Sequence, residues 1–154
     1  MYETLFTILK TVFIATVSSW ITVKLSLRKF QTERWWERKV EAYERIIEAL
    51  HHTKAFSDAH LDANHEGREV SKERDDELRR RSREAHFEIA KAADMAAFFL
   101  SEEAKNRLDR FLVEEREASN TTDWQIYLES DWAATNSCLE DFIKIAKKDL
   151  NTNN

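Results

Sequence analysis

The chain has 154 residues, no proline and a single glycine, Gly67, and that scarcity restricts it almost entirely to helices. Sheets need tight turns between strands. Those turns need glycine or proline where φ is positive or fixed. Charged residues make up 34% of the sequence, rich in Glu, Lys and Arg, all good helix formers. The expected fold class is therefore all-α.

Apolar periodicity divides the sequence into four helices. Trp36, Val40, Tyr43, Ile47 and Leu50 recur at 4-3-4-3 spacing, the pattern of one helix face. Counted back by sevens, Trp36 falls in phase with Lys29 and Thr22, which predicts one uninterrupted helix from about residue 3 to about residue 62. Asn64-His-Glu-Gly67 is the expected turn, with Gly67 at positive φ. A second helix over about 71–100 would bury Leu78, Ser82, Ala85, Ile89, Ala92, Ala96 and Phe99. Ser101 is the expected cap of a third helix, whose first turn carries Glu102 and Glu103 beside the helix dipole and whose core residues are Leu108, Phe111 and Leu112. Ser119-Asn-Thr121 ends it. Thr122-Asp-Trp-Gln125 reads as a capping box for a fourth helix that turns Ile126, Trp132, Leu139, Phe142, Ile143 and Ala146 inward. Short connections between four helices predict an up-and-down bundle.

Leu5 to Val23 is a 19-residue run, apolar or hydroxylic apart from Lys10. A helix needs about 20 such residues to cross a bilayer core, and a lysine near one end can extend its ammonium to the interface. Lys24, Arg28, Lys29, Arg34, Arg38 and Lys39 follow the run, whereas only Glu3 and the amino terminus precede it. Tyr2, Trp20, Trp35 and Trp36 supply interfacial aromatics near or beyond its ends. The basic bias predicts a single pass of the inner (cytoplasmic) membrane with the amino terminus outside. A cleaved signal peptide would carry its positive charge before the run and a small-residue site after it. The expected division is a transmembrane helix over 1–27, a cytoplasmic four-helix bundle over 28–150 and a disordered tail over 151–154.

Within the run, Thr4, Thr7, Thr11, Ala15, Ser18 and Thr22 share one narrow helical face. Such a face packs against another copy of the same helix, lines a wet pore, or bonds back to its own carbonyls. The first of these makes the chain a homo-oligomer in the lipid bilayer.

The densest charge cluster is Arg79-Arg80-Arg81-Ser82-Arg83, followed by His86. Arginine grips phosphate with a two-pronged fork, so Arg79, Arg80, Arg81, Arg83 and His86 form a candidate anion-binding site. Asp75, Asp76, Glu77 and Glu84 lie close by, and a solvated salt-bridged face is the competing reading. Glu48-Ala-Leu-His51 has the E-x-x-H spacing of di-iron bundles, but no second such pair exists. No metal site, cofactor or catalytic residue is assigned: the sequence lacks a phosphate-binding glycine loop, an H-E-x-x-H and a nucleophile elbow. Cys138, the sole cysteine, falls among core positions of the fourth helix. A formal net charge of −5, with nine carboxylates against four basic residues from Ser101 to Asp131, argues against bulk DNA binding.

Two resemblances follow. Arg81-Ser-Arg-Glu-Ala-His86 is similar to the arginine-x4-histidine motif of the HEPN superfamily, which implies ribonuclease chemistry by Arg81 and His86, or a non-catalytic bundle of that type. The whole layout resembles small single-span bacterial membrane effectors of CRISPR and other anti-phage defence systems. It does so through the apolar run, the juxtamembrane RKFQTERWWERKVEAYERIIEAL and the RRRSREAHFEI segment. That resemblance implies a non-enzymatic effector. Its partner would be a cyclic oligonucleotide second messenger, such as a cyclic oligoadenylate, or a defence-complex protein, and it would oligomerise to perturb the membrane. A membrane-tethered scaffold without ligand gating is the alternative.

Overall fold

A computed structural model describes residues 2–151. Side chains are described from Thr32 onward except Ala96 and Ala97, and before that at Trp20, Val23, Lys24 and Ser26. Four helices appear: α1 (Tyr2–His65), α2 (Lys72–Phe99), α3 (Glu102–Ala118) and α4 (Trp124–Asn151). No strand occurs among the described residues. The chain divides into two compact units, Met1–Arg38 and Lys39–Asn154.

In the first unit the Lys24 ammonium lies 4.8 Å from the centre of the Trp20 ring, a cation–π contact on an exposed face. Among the described residues no helix is long and apolar enough to cross a membrane. Most side chains of the expected span lie outside those described. So do the side chains of its Thr4, Thr7, Thr11, Ala15, Ser18 and Thr22 face, and so does the tail from residue 152 to 154.

The second unit is an antiparallel four-helix bundle. Tyr43 and Ser57 of α1 bond to Asp149 and Asp131 of α4, so these helices run in opposite directions. His60 of α1 meets Asp75 of α2 at 2.9 Å, and His86 of α2 meets Glu115 of α3. Arg107 of α3 reaches Asp141 (3.1 Å) and Ser137 (3.2 Å) of α4, while Lys148 reaches back to Glu103 (2.6 Å).

The connections form where the sequence supplies the right groups. Gly67 has φ 65°, the Gly67 amide donates to the Asn64 carbonyl (3.1 Å), and the Arg68 amide donates to that of Ala63 (3.0 Å). This is a Schellman closure, which satisfies the last carbonyls of α1. Ser101 caps α3 by accepting from the Ala104 amide at 3.2 Å. The fourth cap differs from expectation. Asp123, not Thr122, accepts from the Ile126 amide (3.0 Å), and Gln125 bonds Glu129 and Asn64 instead of closing a box.

Two apolar clusters fill the bundle. The larger centres on Tyr43, Leu50, Ile89, Leu108, Phe111 and Phe142, and the smaller on Phe56, Leu78 and Leu128. Some expected core residues are not there. Trp36 is 43% exposed, and the buried run of α1 begins at Tyr43. Ile126, in the first turn of α4, is 53% exposed because Leu128 takes the core position. Trp132 is only half-buried, its indole N–H donating to Asp58 at 2.5 Å.

Candidate functional site

The two apolar clusters are separated by polar side chains drawn from all four helices. α1 contributes Thr53 and Ser57, and α4 contributes Asp131 and Thr135; all four are fully or almost fully buried. Ser57 donates to Asp131 Oδ2 at 2.5 Å, and Thr53 bonds back to the Ala49 carbonyl at 3.2 Å. α2 contributes His86, whose Nδ1 pairs with Glu115 of α3. Asp131 Oδ1, Thr135 Oγ1 and His86 Nε2 are buried without a protein hydrogen-bond partner. Burying polar side chains costs their desolvation, so this layer holds the middle of the bundle less tightly than apolar side chains of the same shape would.

Charge is tuned within the layer. Burial disfavours ionisation of Asp131 and, with the nearby Glu115 charge, raises its pKa above the usual carboxylate value despite the Ser57 hydrogen bond and the His86 charge. Burial also works against a charged His86, but the Glu115 hydrogen bond and charge, helped by Asp131, outweigh it and raise the imidazole pKa. Tyr127 is pushed up to about 12, first by burial and then by Asp131 and Glu115. The layer therefore favours bound protons.

The arginine run is spread around α2. Arg79 bonds Asp75 at 2.8 Å, and its guanidinium lies 5.5 Å from the Phe56 ring centre and 5.6 Å from that of Trp124. Arg80 is held by Glu77 and Glu84, both at 2.9 Å, and Arg81 by Glu77 at 2.5 Å. Arg83 is exposed. Arg80 and Arg81 line an open groove of about 310 Å³ between α1 and α2, with Arg45, His52, Glu48 and Glu84 on its walls. The structure thus brings Arg80 and Arg81 together, sets Arg79 on an aromatic cluster and turns His86 toward α3. Arg81 and His86 answer different neighbours, Glu77 and Glu115, so they do not converge on one reacting atom.

No protein-family model, curated protein or solved structure matches this chain. Function must therefore be argued from its own residues.

The polar layer went unseen in the sequence because periodicity credits only apolar residues. A signal was present. Leu128, Asp131, Thr135, Cys138 and Phe142 follow 3-4-3-4 spacing, with two polar residues on a core face. Arg107, only 6% exposed and held by Glu114, Asp141 and Ser137, was missed for the same reason. Cys138 is core packing, as its spacing predicts: it is fully buried, and burial pushes its thiol up to about 12, which keeps it from acting as a thiolate. Among the described residues no cluster of His, Cys, Asp or Glu has the arrangement of a metal site.

Proposed function

We propose that this chain is a membrane-anchored, signal-responsive effector of the kind found in bacterial anti-phage defence. In this reading the apolar run over 5–23 spans the bilayer and the bundle lies in the cytoplasm. An anionic signal such as a cyclic oligoadenylate, or a partner protein, changes the bundle, and the change promotes homo-oligomerisation that perturbs the membrane. The observation that carries the reading concerns α1. The helix that bears the apolar run also supplies Thr53 and Ser57 to the weakened polar layer. A passive tether has no use for a destabilised core, whereas a switch needs two arrangements close in free energy.

The groove at Arg80 and Arg81 is where an anionic signal would bind. The ion pairs there are exposed and screened by solvent, so a ligand with several phosphates displaces Glu77 and Glu84 at little cost. The tethered-scaffold reading draws on the same pairs, because arginines already answered by carboxylates do not require a ligand. Ribonuclease chemistry draws the least support, given the divergence of Arg81 and His86.

The test uses the full-length chain. It should sediment with carbonate-washed membranes and resist protease added outside intact cells. Cyclic oligoadenylate should bind the vesicle-reconstituted protein and depolarise the vesicles, and both effects should fall at least tenfold in an Arg80→Glu/Arg81→Glu variant. A partner captured without any depolarisation would establish the scaffold instead.

A further inference from the structure

The outer face of α2 carries two large aromatic side chains with no cover. Phe87 is 68% exposed and Phe98 is 72% exposed. Between them on the same face lie Lys91 and Asp94, both exposed. The spacing Phe87-Lys91-Asp94-Phe98 is 4-3-4, which is that of a coiled-coil seam. The opposite face of the helix, with Leu78, Ala85, Ile89 and Ala93, is already spent on the bundle core. α2 therefore has one apolar stripe buried within the chain and, opposite it, a mixed face on which two exposed aromatics flank a Lys–Asp pair.

We infer that Phe87, Lys91, Asp94 and Phe98 form a homodimerisation seam on which α2 of a second copy of this chain docks antiparallel. Charge selects both the occupant and the register. With a two-fold axis midway between positions 92 and 93, Phe87 of each copy packs against Phe98 of the other, and Lys91 of each meets Asp94 of the other. All four layers are then complementary, and the contact is isologous. A parallel pairing would set Lys91 on Lys91 and Asp94 on Asp94. An antiparallel pairing centred on Phe87 would set Lys91 against Arg83. Each of these alternatives opposes like charges. Lys91 is free to exchange partners, because its ion pair to Glu88 is loose (3.9 Å) and exposed.

A seam of three helical turns buries less than the roughly 800 Å² per partner of a standard stable interface. It needs a raised local concentration, which anchorage of both copies in one bilayer supplies. The inference thus rests on the membrane reading for its strength but not for its geometry. It gives the proposed oligomer a specific cytoplasmic face.

The test uses full-length protein in phospholipid vesicles, and in parallel in detergent micelles, with Cys138→Ala as background. One population carries Lys91→Cys and the other Asp94→Cys. After mixing and treatment with a short bis-maleimide, the mixed dimer should exceed either self-dimer at least tenfold. Lys91→Asp and Asp94→Lys should each abolish dimers scored by an amine-independent cross-link at Phe98→Cys mixed with Phe87→Cys. Lys91→Asp with Asp94→Lys in one chain should restore them. Dominant self-dimers of Lys91→Cys would overturn the antiparallel register. A monomer whose Phe87→Ser/Phe98→Ser variant loses only vesicle contact would assign the face to lipid, and a monomer with no such change would assign it to another protein; either result overturns the seam. Failure of the chain to sediment with membranes would overturn the anchor while leaving the micelle cross-link pattern to judge the seam.

Discussion

At the scale of single residues, the polar layer sets how stability depends on pH. Both titratable groups at its centre have folded pKa values above their ordinary ones. His86 therefore contributes stability that is complete below 6.5, its ordinary value, and is lost as pH rises through its higher folded value. Asp131 has the same sign, with its contribution present below 3.8 and lost as pH rises through its raised value. The charged groups facing His86 are Glu115 on α3 and Asp131 on α4; α1 presents the hydroxyls of Thr53 and Ser57 to the same layer. Asp75, Glu77 and Asp149 are held below their ordinary carboxylate values, so stability from them is lost only at lower pH. As pH rises above 3.8, through the raised value of Asp131 and then that of His86, the melting temperature should fall, and His86→Gln should flatten the part above 6.5. Thermal melts followed by circular dichroism check this, and a midpoint that climbs with pH over that range contradicts it.

At the scale of elements, the ends of the helices are fixed by a few side chains. Ser101 satisfies the first turn of α3, and Ser101→Ala should cost about 1 kcal/mol in denaturant unfolding. Gly67 closes α1 at φ 65° in open space, where an added Cβ meets nothing within 4 Å. Gly67→Ala should therefore cost about 1 kcal/mol through backbone strain alone, and Gly67→Asn should cost less. If Ala and Asn at position 67 unfold at the same denaturant midpoint as wild type, the strain argument fails. These features were legible in the sequence because each is local. A lone glycine after a helical run, a serine before two glutamates and, from Tyr43 onward, a 4-3-4-3 stripe all state their roles within a few residues. The fourth cap was misread by one position because Thr122 and Asp123 are both good caps, and only the observed helix start at Trp124 separates them. The polar layer was legible only in part: the spacing sets Asp131 and Thr135 on a core face, but it does not name their partners. Asp131, Ser57 and His86 acquire their character from helices far away in sequence. No local pattern states that Asp131 meets Ser57, or that the His86 imidazole leaves the arginine run for Glu115.

At the scale of the whole molecule, the buried layer and the exposed α2 face are opposite departures from an ideal bundle. One puts polar groups where apolar ones would hold the fold more tightly, and the other leaves apolar groups where a partner must cover them. Both make sense if the isolated bundle is one of two states. Apolar replacement separates stability from response. Removing both partners of a buried hydrogen bond is neutral or favourable, whereas removing one leaves the other stranded. Ser57→Ala combined with Asp131→Leu should raise the unfolding free energy by about 1 kcal/mol or more, while Ser57→Ala alone should lower it. If the layer lets α1 change its packing, the double variant should still sediment with membranes, still form dimers in vesicles, and lose the depolarisation proposed for an anionic signal. A stabilised double variant that depolarises as well as wild type would make the layer a matter of packing specificity only. The response would then have to arise at the α2 face, with the bundle moving as a rigid unit.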